Sequence, residues 1–143
     1  VFSSCNRNFR ILGPKPSDRW CGQCPKCHFV FLALAPFMPK PRLLGIFGRN
    51  LLDDAAQTGG FDALVEYQDH KPFECVGEGR ESRAALADLA RRAEWREDAI
   101  VDRFAREILP QLEPGELSID ALLVAQGEHA LPRHLLGPVL GTA

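Results

Sequence analysis

The hydrophobic residues of this chain are gathered into runs separated by proline and glycine, and most runs carry the repeat of a helix. Residues 1–23 are the exception. They are polar and loop-like, punctuated by Gly13-Pro14-Lys15-Pro16-Ser17-Asp18. Over residues 24–37 almost every position after His28 is apolar, and the length of that run predicts a buried helix rather than a buried strand, stopping near Pro36. Past Pro39-Lys40-Pro41, residues 43–54 predict a helix interrupted near Gly48, and Gly59-Gly60 opens a short helix over 61–67.

Residues 70–77, His70-Lys71-Pro72-Phe73-Glu74-Cys75-Val76-Gly77, predict a non-helical segment whose alternation is too short to define a strand. After Gly79 the pattern is helical again. Leu86, Leu89, Ala90 and Ala93 share one face, with Arg80, Arg83, Asp88 and Arg91 around the other. Ile100, Val101, Phe104, Ile108 and Leu109 repeat it as far as Pro110, and residues 94–97 predict a turn or a bend around Trp95. Ser118 suits the N-cap of a last helix over 119–126, and the apolar tail from Leu131 reads as an irregular strap. The predicted fold is mainly α: a cysteine-bearing loop and buried helix over 1–40, then a helical bundle over 41–143, together forming one domain.

With 143 residues the chain is long enough for one real core. Its longest apolar run, residues 29–38, is about half of what a membrane span needs, so no span is expected. Val1-Phe2-Ser3-Ser4 reads as the end of a strand running into a loop, with no leader pattern, and suggests the C-terminal piece of a longer α/β protein. Charge is uneven. Residues 1–50 hold eight basic side chains against Asp18 alone, and the remainder holds nine basic against eighteen acidic. Part of the basic excess can offset thiolates on a metal, and part can face an anionic ligand such as a nucleotide. No basic stripe is interleaved with aromatics, so nucleic acid is not the expected partner.

The strongest chemical signal is Trp20-Cys21-Gly22-Gln23-Cys24-Pro25-Lys26-Cys27 with Cys5 upstream, four thiols in the spacing C-x15-C-x2-C-x2-C. Zinc is the first reading: Cys5, Cys21, Cys24 and Cys27 supply the closed tetrahedral set of a structural site. Iron–sulfur is a second, although the later cysteine of a ferredoxin run is missing. A redox C-x-x-C is a third, at odds with the helical pattern downstream, and a disulfide is a fourth. Five cysteines, four of them clustered, point to a reducing, cytoplasmic setting. Cys75 is left over, either a small buried hydrophobe or an acid/base or nucleophilic thiol near Glu74 and His70. His28 reads as a neighbour of the cluster rather than a ligand. His129 and His134 carry no pattern, and Gly45 to Gly48 lacks the context of a phosphate loop.

Two families share the cysteine arrangement. The 7-cyano-7-deazaguanine synthases, ATP-using enzymes of queuosine biosynthesis, are similar in having one cysteine followed by C-G-x-C-x-x-C, here Cys5, Cys21-Gly22, Cys24 and Cys27, although the intervening loop is longer. A wider likeness rests on Ser4-Cys5-Asn6-Arg7-Asn8-Phe9, on Trp20 through Phe31, on Leu44-Gly45-Ile46-Phe47-Gly48 and on His70 through Gly77. In these blocks the chain resembles the C-terminal region of the bacterial UDP-N-acetylmuramoyl-L-alanyl-L-glutamate epimerases.

That resemblance implies an ATP- and magnesium-requiring inversion of the terminal glutamate of a nucleotide-linked peptidoglycan precursor. In such a reaction Cys75 is the candidate acid/base group, helped by Glu74 or His70. Arg7, Arg10 and Arg49 are candidates for contacts to phosphates or glutamate carboxylates. The chain holds no S-G-G-x-D-S-type loop, so the ATP site is expected in an upstream domain and the isolated chain is expected to be inactive. A non-enzymatic alternative is a zinc-stabilised module whose acidic helices, residues 78–112, dock a partner protein.

Overall fold

A computed structural model describes residues 2–68 and 76–124, together with 130, 132 and 134, and within these the chain is helical, with no strand. Helix α1, Pro25–Leu34, starts at an extended Cys24, with Pro25 in the first turn where a missing N–H leaves no bond unmade. It buries Cys27, His28, Phe31 and Leu32, so the apolar run predicted as a buried helix is one. Helix α2, Lys40–Phe47, likewise opens with Pro41 in its first turn.

The sequence pattern extends that second helix to residue 54, and the structure stops it at Phe47. Gly48 takes a left-handed φ of 75° and closes the C-terminus, its N–H bonding to Leu44 O at 2.7 Å. Asn50 then holds an irregular segment, its Oδ1 accepting from Leu52 N at 3.1 Å. Leu43, Phe47 and Leu51 are buried at helical spacing even though Leu51 lies outside the helix, and that spacing is what the periodicity registers.

A single turn at Ala55–Gln57, capped by Asp54 Oδ1 accepting from Ala56 N at 3.1 Å, leads into α3, Thr58–Leu64. Gly59 and Gly60 lie inside α3 rather than ahead of it. The helix ends three residues short of the expected Tyr67, where Glu66 and Gln68 take φ of 61° and 58°. Helix α4, Gly79–Ala90, starts from a capping box in which Glu78 N donates to Glu81 Oε2 at 2.7 Å. The break at 94–97 is a turn that sinks Trp95 completely.

Helix α5, Ala99–Arg103, runs on through a wide π-type turn, Phe104–Ile108, and a tight turn, Leu109–Gln111. Pro110 has no N–H to continue the ladder. Helix α6, Ile119–Leu123, starts at Ser118, whose Oγ accepts from Ala121 N at 3.3 Å. It stops before the expected residue 126, because Val124 is already extended; residues 125 and 126 lie outside the described residues, as do His70, Glu74, Cys75 and most of the tail from Leu131.

Helix α1 lies against α2, α3 and α4, and α4 against α5 and α6. An aromatic spine joins the N-terminal loop to this bundle. Trp20 stacks on Phe47 at 4.6 Å between ring centroids, Phe47 meets Phe31 edge-on at 5.0 Å, and Phe31 meets Trp95 edge-on at 6.2 Å. Beyond Trp95, buried Asp98 receives two bonds from Lys40 Nζ at 2.7 and 2.8 Å and one from Asn50 Nδ2 at 2.8 Å. Lys40 also lies 4.6 Å over the Trp95 ring. Among the described residues no helix is long and apolar enough to cross a membrane.

Candidate metal centre

Cys5, Cys21, Cys24 and Cys27 converge at the start of α1, their sulfurs all within 4.8 Å of one another. Each part of the chain delivers its thiol for a local reason. Cys5 precedes a tight turn, Asn6–Phe9, closed by Asn8 N bonding to Cys5 O at 3.0 Å. Cys24 and Cys27 are the cap and third residue of α1 and so lie on one side of its first turn. Cys21 is turned towards them by Gly22, whose φ of 64° is open to glycine at little cost. A Cβ on Gly22 would also lie 2.5 Å from Arg49 Nη2.

Four sulfurs at 2.3 Å around one zinc(II) lie about 3.8 Å apart. Here Cys21 and Cys27 are 3.8 Å apart, and Cys24 and Cys27 3.4 Å. The donor set therefore fits a tetrahedral soft-metal site, and its four thiols leave no position for water. Hard cations such as magnesium take oxygen ligands and do not suit it. All four cysteines are free thiols, three of them buried.

The backbone is arranged for thiolates. Cys21 N donates to Cys5 Sγ at 3.4 Å, and the N–H groups of Gln23, Asn6 and Gly22 bond to Cys21, Cys24 and Cys27 respectively. Without metal the cluster shares protons unevenly. The hydrogen bond shared with Cys27 holds Cys24 down to about 4. That same bond, and then burial, push the Cys27 thiol up, while burial raises Cys21.

Arg49 lies over the knuckle, Nη2 donating to Gly22 O at 2.9 Å and Cys21 O at 3.4 Å, with Nη1 3.9 Å from Asp54 Oδ2. Arg7 is exposed and donates to Gln23 Oε1 at 2.8 Å, and Arg10 is exposed beyond it. Arg49 and Arg7 thus bracket the knuckle.

His28 is buried on the far side of Cys27. Its Nε2 donates to Gln57 Oε1 at 2.9 Å, because the Gln57 amide nitrogen is committed to Asp54 Oδ2 at 3.1 Å. Burial lowers its pKa. His28 therefore ties the cluster to α3 as a neighbour, and no pattern in the sequence points to Gln57 as its partner.

Residues 1–118 match the family described as the MurL C-terminal domain. Proteins named UDP-N-acetyl-alpha-D-muramoyl-L-alanyl-L-glutamate epimerase are similar to the chain in three bacteria. The one from Xanthomonas oryzae pv. oryzae is 71% identical over 131 residues, covering 92% of this chain and 29% of the relative. The one from Salinispora tropica is 52% identical over 101 residues, covering 71% and 22%. The one from Micromonospora sp. is 44% identical over 132 residues, covering 92% and 29%. The chain thus spans less than a third of the length of these relatives. No solved structure matches it. With the four cysteines inside a match that takes in most of its length, the chain belongs to the MurL C-terminal domain family.

Proposed function

We propose that this chain is the zinc-bearing C-terminal part of an enzyme that inverts the terminal L-glutamate of UDP-N-acetylmuramoyl-L-alanyl-L-glutamate, a step in making peptidoglycan precursors. The observation that carries the reaction is the name shared by the relatives, one of them 71% identical over 92% of the chain. The same relationship favours the epimerase likeness over the deazapurine synthase. The zinc reading is carried by the four sulfurs within 4.8 Å. Zinc held by Cys5, Cys21, Cys24 and Cys27 supplies fold stability and no open coordination position. Four unpaired thiols also suit the cytoplasm, where a nucleotide-linked substrate is made.

An α-proton beside an ionised carboxylate is very weakly acidic. Attack of that carboxylate on the α-phosphorus of ATP, bound with magnesium in the upstream domain, releases pyrophosphate and gives an acyl adenylate. The carbonyl then draws charge from the α-carbon, so a base can remove the proton, and a proton returns to the opposite face. Water cleaves the adenylate to AMP and the D-epimer. Cys75, aided by Glu74 or His70, is our candidate for one of the proton-transfer groups. Exposed Arg7 and Arg10 are candidates for substrate phosphate or carboxylate. Arg49 has a competing engagement at the knuckle.

The test uses the full-length protein with the L-glutamate substrate, ATP and magnesium in deuterated water. The expected product carries one deuterium at the glutamate α-carbon, has the D configuration, and forms with AMP and pyrophosphate only when ATP is present. Absence of exchange from folded, zinc-loaded protein rejects the epimerase, and ADP with phosphate rejects the adenylate. Full activity in Cys75→Ser removes Cys75 from the mechanism.

A further inference from the structure

We propose that the loop between Cys5 and Cys21 is the surface on which the upstream region of the full-length protein docks. Its ends are fixed at one place. Cys5 and Cys21 meet in the sulfur cluster, Ser3 Oγ donates to Arg19 O at 2.7 Å, and the Asn8 amide nitrogen donates to the same carbonyl. Trp20 anchors the base by stacking on Phe47.

A loop held so firmly nonetheless turns its large apolar side chains outward. Phe9 is 68% exposed, Ile11 97% and Leu12 86%, and neighbouring Phe2 is 74% exposed. Apolar groups gathered on a fixed support mark an interaction site. The covering partner follows from chain length. This chain spans 29% of a relative's length while matching a C-terminal domain, so in such a protein the upstream region joins the domain beside Phe2. It is tethered next to the loop, and its contact with Ile11 and Leu12 is intramolecular, at high effective concentration. Exposed Arg10, Lys15 and Arg19 flank the apolar tip, with Asp18 the one acid among them. The docking face therefore carries an apolar centre edged by carboxylates.

The inference rests on family membership, and its tests need no turnover, so failure of the epimerase assay does not touch it. In the full-length protein, p-benzoylphenylalanine replaces Ile11 and is photolysed at low concentration. The expected product keeps the mass of one polypeptide and joins position 11 to a peptide upstream of this chain. Links only between two polypeptides, only within this chain, or to nothing overturn the proposal. In parallel, Ile11→Asp with Leu12→Asp is expected to raise hydrogen exchange several-fold in upstream peptides while leaving zinc content unchanged. Unaltered upstream exchange in that variant also overturns it.

Discussion

Replacing Cys5 by serine removes the thiol that reaches the cluster from the far end of a long loop. Fifteen residues, Asn6 to Trp20, separate Cys5 from Cys21, and a cross-link across a loop of that size is worth about 3 kcal/mol through the unfolded chain. Cys5 is fully buried, so the new hydroxyl adds about 1 kcal/mol or more for a group left without its partner. The unfolding entropy of a chain this long is about 0.3 kcal/mol per degree. The expected fall in Tm is therefore about 13 °C while the remaining three thiols keep the metal, and well beyond that if they release it. Zinc content by plasma mass spectrometry and the thiolate-to-cobalt charge-transfer bands of the cobalt-loaded full-length protein report the site directly. Chelator-stripped wild type should fall further than a Cys5→Ser variant that keeps metal on three thiols, whereas Cys75→Ser should keep one zinc. One zinc per chain, an unchanged cobalt spectrum and an unchanged Tm in Cys5→Ser would falsify the four-thiolate site.

Further substitutions probe the rest of the fold and the knuckle. Asp98→Ala strands Lys40, whose side chain is 20% exposed and so partly able to reach water; the expected loss is about 3 kcal/mol. In a denaturant titration, Asp98→Leu combined with Lys40→Met should lose less than Asp98→Ala alone, and an equal loss refutes the pair's role. Gly22→Ala meets a left-handed φ and displaces Arg49, for about 1–2 kcal/mol; zinc should pass to a competing chelator faster, and an unaltered transfer rate contradicts the knuckle geometry. Ser118→Ala removes the α6 cap for about 1 kcal/mol, which hydrogen exchange at residues 120–123 should register as faster opening. Equal exchange there means the cap is idle.

The meeting of the four cysteines was legible because thiols at C-x2-C-x2-C are rare without a shared target, and Cys5 completes the number that a tetrahedral site requires. Helix positions were legible wherever periodicity and a boundary signal agree, as at Pro36 after α1 and Gly79 at the start of α4. They were not where burial continues after the helix has ended. Leu51 and Leu52 are buried in an irregular segment, and only the side chain of Asn50 reveals why that backbone is satisfied. Arg49 could be placed in a basic half, but its attachment to the Gly22 carbonyl depends on where α2 stops, which the sequence does not state. The Lys40–Asp98 pair spans 58 positions, and the His28–Gln57–Asp54 chain joins segments with no shared pattern. Such contacts come from tertiary placement rather than local propensity.

The centre and the helical bundle are parts of one packing unit rather than a bound ion beside an independent fold. Cys5, Cys24 and Cys27 belong to the same buried cluster as Phe31, Leu86, Trp95 and Ile108. Cys24 is at once part of the four-sulfur cluster and the residue from which α1 starts. Loss of an ion held there leaves four side chains with nothing to bridge them at a helix entrance that also carries Trp20, and Trp20 reaches Trp95 through Phe47 and Phe31. Disturbance at the sulfurs has a contiguous path to the Lys40–Asp98 pair at the opposite end of the spine. Metal release should loosen amides around Trp95 together with those of α1, in a single cooperative step. A bundle that kept full protection at residues 94–101 after losing its zinc would be one in which the cluster staples only the N-terminal loop.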